Sequence, residues 1–175
     1  MNTTLVITLI GDDKPGLVER LSSLCAKHEA NWLDSSMAQL AGKFAGVMRV
    51  GIPADAVEDF RRELAALSDL RITVEAGSPA AAGGAPTRRL AFSLVGHDRI
   101  GIVREVSQVF ARHGVNVEKL ATYTSPAAMS SEILFHAEAE LLAGNGVDSG
   151  ALKADLERLS NDLIADITLD EQIGD

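Results

Sequence analysis

Thr4 to Ile10 alternates between apolar and polar positions and is rich in β-branched residues, which predicts a strand. Gly11 breaks the pattern. Leu17, Val18, Leu21, Leu24, Cys25 and His28 then recur at helical spacing. Two further strands are predicted over Asn31–Leu40 and Phe44–Ile52, around the turn Ala41-Gly42-Lys43. A second helix follows, with Asp55 as its cap and Glu58 at the reciprocal capping-box position. Val57, Phe60, Leu64 and Leu67 mark its buried side. Leu70–Ala76 reads as a last strand.

The same pattern returns 85 residues later. Leu5 through Val18 lies over Leu90 through Val103, and the match continues through Ser22/Ser107, Ala26/Ala111, His28/His113 and Asn31/Asn116. A strand is expected from Arg89, a helix from Gly101, strands near Val115 and Ile133, a helix from Ala151 and a strand from Leu163. Leu152, Leu156 and Leu159 form the stripe of that last helix. The period exceeds the 20–50 residues of solenoids and occurs once, so it marks a duplicated domain. Residues 1–77 are the first domain and residues 88–175 the second. The Gly-, Pro- and Ala-rich stretch 78–87 is the linker, because it has no side chains with which to build a core.

Each half therefore reads βαββαβ. The expected class is α+β: two ferredoxin-like repeats, each an antiparallel four-stranded sheet with two helices on one face. Met37, Val47 and Met48 are candidates for one or other face of the first sheet. A partly apolar open face favours packing of the repeats together, or against a second chain as in a homodimer.

Charge narrows the function. The 175 residues carry 16 Lys and Arg against 25 Asp and Glu, a net charge of −9, and the cations are scattered. Phosphate backbones repel such a chain, so direct binding of nucleic acid is not expected. Aromatic residues, at 4%, supply few stacking platforms. No apolar run approaches the ~20 residues that span a bilayer, so no membrane contact is expected. Met1-Asn2-Thr3-Thr4 lacks a basic leader segment, and the lone Cys25 fits a reducing compartment, so the expected location is cytoplasmic.

The repeat is sharpest at Gly11-Asp12-Asp13-Lys14-Pro15-Gly16 and Gly96-His97-Asp98-Arg99-Ile100-Gly101. Both read Gly-x-Asp-x-x-Gly between a strand and a helix. The first Gly permits a tight exit from the strand, and Pro15 fits a first helical turn. Unpaired N–H groups at the helix start suit a carboxylate, and Lys14 and Arg99 add a cation. Asp13 and Asp98 either cap the helix or accept from a ligand ammonium. Cation and anion binders side by side suit a zwitterion such as an amino acid. Asn31 and Asn116 are the next matched polar pair. Each offers amide donors and an acceptor, or simply suits the left-handed turn after a helix.

The loop is neither a dinucleotide fingerprint nor a P-loop. His97 and His136 lack metal-ligand spacing, so no metal is expected. Cys25 faces the core and has Phe110 as its mate. Ser35-Ser36 and Ser130-Ser131 lack a nucleophile elbow. No catalytic constellation is visible, and neither an enzyme nor a cofactor is expected.

Strand, Gly-x-Asp-x-x-Gly, amphipathic helix and Asn at the next strand together resemble the ACT domain, a small-molecule regulatory module. Two copies filling the chain resemble the glycine cleavage system transcriptional repressor family. The resemblance covers residues 3–77 and 88–170. It implies an amino-acid effector near domain interfaces, with Asp13, Pro15, Gly16 and Asn31 in the ligand-contacting loop and strand start. In the second copy it implies Asp98, Gly101 and Asn116. Ile100 stands where the first copy has Pro15. The resemblance further implies glycine as the signal and control of transcription through a DNA-binding partner protein. A regulatory subunit or adaptor of a metabolic enzyme is the alternative reading.

Overall fold

The computed structural model describes residues 2–78 and 87–172. Its contacts divide the chain into two units, Met1–Ala82 and Gly83–Asp175. Residues 79–86 of the expected linker lie outside the described residues.

The first unit runs β1 (Asn2–Asp12), α1 (Leu17–Lys27), β2 (Asn31–Leu40), β3 (Lys43–Pro53), a 3-10 turn (Ala54–Ala56), α2 (Val57–Ala65) and β4 (Leu70–Ala76). The second runs β5 (Thr87–His97), α3 (Ile102–Arg112), β6 (Asn116–Pro126), β7 (Ile133–Gly144), α4 (Ser149–Leu163) and β8 (Asp166–Gln172). The sheet orders are β2-β3-β1-β4 and β6-β7-β5-β8, and every neighbouring pair is antiparallel. These are the two ferredoxin-like βαββαβ units expected from the sequence.

The period of two in β1 puts Leu5, Ile7 and Leu9 on the helix-covered face. The register sets Ile7 opposite Met48 and Leu5 opposite Val50, so both strands bury the same face. Leu17, Leu21 and Cys25 from α1 and Phe60 and Leu64 from α2 close over it. In the second unit Leu90, Phe92 and Leu94 meet α3 and α4 through Val106, Phe110, Leu152 and Leu156. Phe92 and Phe110 pack edge to face with centroids 5.0 Å apart. Of the three residues left open between faces, Met48 is core, Met37 packs partly buried against it, and Val47 is exposed.

Some boundaries differ from expectation. Asp55 does not cap α2: it lies inside the 3-10 turn, and no side chain caps that helix. The extra turn displaces the helix start past the aspartate. In contrast, α4 begins at Ser149, with the Asp148 carboxylate accepting from the N–H groups of Gly150 (2.9 Å) and Ala151 (3.0 Å). That helix ends on Ile164 in the left-handed region (φ 50°), which delays the last strand to Asp166.

Gly11 and Gly96 also act differently than expected. Neither has a positive φ. Their requirement is space: a Cβ at Gly11 would run into the Asp69 carbonyl oxygen, and one at Gly96 would sit 2.7 Å from Ala165 Cβ. The chain entering the last strand of each unit thus rests on a bare backbone. Gly11→Ala should destabilise the first unit by roughly 1–3 kcal/mol, as overpacking does elsewhere. Urea unfolding followed by Trp32 fluorescence, the chain's single tryptophan, reads that unit directly.

Candidate functional site

The two strand-to-helix loops are built alike. The Asp13 N–H donates to the Gly42 carbonyl and the Asp98 N–H to the Ile133 carbonyl, each at 2.9 Å. The first loop is thereby clipped to the β2–β3 turn and the second to the start of β7. Gly16 (φ 89°) and Gly101 (φ 95°) are the N-cap residues, in the left-handed region that favours glycine. Their carbonyls accept the first helical bonds, from Arg20 and Glu105, both at 3.0 Å.

Neither helix has a side-chain cap. Asp13 and Asp98 therefore do not cap these helices. Pro15 precedes the N-cap, in the turn rather than in the first helical turn. Its fixed φ sets the approach to Gly16 instead. The helix-opening N–H groups are left without a side-chain cap, and an acidic residue, Glu19 or Glu105, stands in the first turn of each helix.

The cations differ between the copies. Lys14 is exposed and makes no ion pair among the described residues. Its neighbour Asp12 is paired with Lys43, whose hydrogen bond and charge hold that carboxyl below its ordinary range. Arg20 reaches Asp69 in a two-pronged pair at 2.6 and 3.1 Å. In the second unit Arg99 is held by Glu105 at 2.6 Å, so this cation already has an anion. Glu105 occupies the place of Arg20, which reverses the charge beside the loop.

The register separates Asn31 and Asn116 from the loops of their own units. Asn31 pairs with Gly51, which also faces Thr4, whereas the loop leaves β1 at Asp12. Eight residues of strand lie between, about 27 Å at roughly 3.4 Å per residue. Asn116 pairs with Leu142, which faces Arg89, and its loop follows His97. One small ligand does not touch both groups within a unit. The turn-residue reading fails too, because the left-handed position falls on Glu29 (φ 54°) and Gly114 (φ 66°). Both asparagines are exposed first residues of extended strands.

Sequence reasoning missed a second matched feature. His28 lies 3.3 Å from Glu63, and His113 Nε2 lies 2.8 Å from an Asp155 oxygen. Each histidine at the end of a first helix thus meets a carboxylate on the second. His28 also packs edge-on against Phe60, with centroids 5.6 Å apart. The histidine match was visible, but the acids stand at different offsets and gave no repeat signal. Elsewhere, His136 stacks on Tyr123 at 4.3 Å and bonds Ser125 Oγ at 2.8 Å. No acid pairs with that ring among the described residues, so the pair lacks the third member of a hydrolytic triad. The described residues contain no group of three or more His, Cys, Asp or Glu that could hold a metal. None of their helices is long and apolar enough to cross a membrane.

Asp155 yields a test of the helix–helix link. Its hydrogen bond from His113, with the charges of Arg158 and Arg112, holds the carboxyl below its ordinary range. A lowered carboxylate stabilises the fold above its unfolded value, and that contribution fades as pH falls through the folded value. Asp155→Asn should lower the urea midpoint at neutral pH. Its deficit relative to wild type should shrink as both are titrated below the ordinary carboxylate range.

Comparison with known proteins follows the same division. The ACT domain family matches residues 3–76 and, in a second profile, residues 92–144. The crystal structure of an unknown protein from Galdieria sulphuraria superposes with a TM-score of 0.85 at 26% identity, over 99% of this chain and 100% of that one. A candidate glycine cleavage system transcriptional repressor superposes with a TM-score of 0.68 at 19% identity, over 99% of both chains, and at that identity shares the fold. A UPF0237 protein of Methanopyrus kandleri is 46% identical over 50 residues, 29% of this chain and 56% of that protein. The match spans about half the length of that curated relative.

Proposed function

The chain belongs to the ACT-domain family, and from that premise we propose that it is an amino-acid-responsive, non-catalytic regulatory protein. The observation that carries this reading is the twice-built loop whose helix opens without a side-chain cap. The helix N–H groups take the carboxylate of an amino acid, and Asp13 or Asp98 takes its ammonium. Lys14 in the first unit, and Arg99 once released from Glu105 in the second, add positive charge for the carboxylate. Pro15, Gly16 and Gly101 shape the loops. Asn31 and Asn116 stand outside these two contacts, at the far ends of their sheets.

Glycine is the first effector to test, and the output is control of transcription of a glycine cleavage operon through a DNA-binding partner protein. The net charge of −9 supports indirect control, because a chain with scattered cations has no footprint for a phosphate backbone. The shared fold with the candidate repressor agrees with this but does not specify the operon. Pure protein should give no specific complex with promoter DNA in an anisotropy assay at physiological salt. A salt-sensitive nanomolar complex would overturn the indirect mechanism.

Calorimetry of the full chain against the amino acids tests the sensor itself. Glycine has few heavy atoms, and the best tiny ligands gain about 1.5 kcal/mol per atom, so binding in the micromolar to millimolar range is expected. Asp13→Ala should weaken binding at the first loop by roughly 1–3 kcal/mol, the loss typical of a charged hydrogen bond. Circular dichroism should stay unchanged, because the carboxylate caps nothing in this fold. A folded Asp13→Ala protein with wild-type affinity removes Asp13 from the site, and a wild type that binds no amino acid removes the sensor reading.

A further inference from the structure

We propose that the open face of the first sheet, turned away from α1 and α2, docks a second copy of this chain, face to face about a two-fold axis that runs across the strands. Alternation puts Val6, Thr8 and Ile10 of β1 on that face, opposite to the buried Leu5, Ile7 and Leu9. The register then lays the face out in rows across the strands. A first row holds Asp34, Arg49, Val6 and Glu75. The middle row centres on Val47 and Thr8. A third row holds Ala38, Ala45, Ile10 and Arg71. Ile10 and Val47 are 41% and 42% exposed. Around the two alanines lies a largely apolar groove of about 570 Å³, walled also by Ile10, Leu40 and Val47.

This face is complementary to itself. A two-fold axis through the middle row lays the first row of one copy over the third row of the other. The bulky row thereby meets the small one. Arg49, held to Asp34 by two bonds at 2.9 and 2.8 Å, comes to lie over Ala45 and Ala38 of the second copy. Its charge is already answered, so its methylene stem covers apolar surface without stranding an ion. Val6 meets Ile10, and Val47 meets Val47. At the rim, Glu75 of each copy meets Arg71 of the other. Neither has an ion-pair partner among the described residues, and the two-fold supplies both, twice. Two acids balance two arginines on this face, so two copies do not repel.

The equivalent face of the second unit is closed to this use. Tyr123 and His136 stand at the positions of Ala38 and Ala45, stacked 4.3 Å apart, and fill the place of the groove. Glu138 stands at the position of Val47, Glu140 at that of Arg49 and Asp166 at that of Arg71. With Asp170 in the place of Glu75, these carboxylates outnumber Lys119, and the face would repel its own copy. The first face is small. Four strands about 4.8 Å apart and three rows about 7 Å apart give roughly 400 Å² per copy, half of a standard interface. The dimer is therefore expected to be reversible, with a dissociation constant on the order of 10–100 µM.

The test is sedimentation equilibrium of the full chain across about 1–500 µM, a range set to bracket that constant. Wild type should pass from monomer to dimer. Val47→Glu puts two carboxylates on the axis and should weaken the dimer by roughly tenfold or more. The second unit carries Glu138 at the same register, so the fold accommodates the change. Arg71→Glu should weaken the dimer as well, by setting it against Glu75 of the second copy. Combining Arg71→Glu with Glu75→Arg restores the opposite charges and should return the constant to within about threefold of wild type. Circular dichroism identifies any variant that fails to fold, and the exposed Arg71 and Glu75 exchanges then carry the comparison. A wild type that stays monomeric throughout would overturn the proposal. So would a folded Val47→Glu protein that dimerises like wild type, or a double exchange that fails to recover what Arg71→Glu lost.

Discussion

The architecture of each half depends on one central strand. β1 pairs with β3 along its whole length, from Asn2 opposite Pro53 to Asp12 opposite Lys43, and carries β4 on its other edge. Its inward residues Leu5, Ile7 and Leu9 are nearly inaccessible to solvent. A slip of one residue would put Thr4, Val6 and Thr8 against the helices and expose the leucines, so register is strongly fixed. β5 does the same with Leu90, Phe92 and Leu94. Because register is fixed, the end of the strand is fixed. Gly11 and Gly96 therefore always deliver the loop to the same place, beside the residues that enter the last strand.

That placement gives the loop its chemistry. A left-handed glycine at the N-cap turns the chain into the helix without offering a side-chain acceptor to the helix N–H groups. Most helices meet this need with Ser, Thr, Asp or Asn at that position. α4 does so with Asp148, which shows that the chain can cap a helix conventionally. The same uncapped start in both copies leaves donors and a positive dipole end at equivalent places. In the second copy a side chain has partly answered them: Glu105 approaches Gly101 and draws Arg99 to itself.

The order of elements was readable from the sequence because local pattern and fold agree. The alternation in Thr4–Ile10, the helical stripe of Leu17, Leu21 and Cys25 and the glycine breaks all depend on the same buried face. Duplication strengthened this, since each element was seen twice. Features fixed by distant partners were not readable. Asp55 looked like a cap, but the preceding strand exits through a 3-10 turn that consumes it. The spatial separation of Asn31 from the loop follows from pairing with β3, which sequence proximity to α1 conceals. The need for glycine at Gly11 comes from the Asp69 carbonyl, 58 positions away in the chain. His113 and Asp155 meet across two helices whose spacing differs from that of His28 and Glu63.

The two copies also show which parts of the fold are free to diverge. Their sheet orders are identical, and the glycines at strand exit and N-cap recur. Differences occur at the loop, along the outer edge strand and in the core, where Phe110 replaces Cys25. Ile100, which is fully exposed, stands where the first copy has Pro15; Glu105 stands at the position of Arg20 and Val117 at that of Trp32. None of these exchanges disturbs the inward residues of the central strand, so each can change without loss of the fold. An outer strand has one hydrogen-bonded neighbour, and the helices leave its inner face open, so side chains there set the shape of a groove at little cost to the core. The two units thus keep one backbone while the charges at their loops differ.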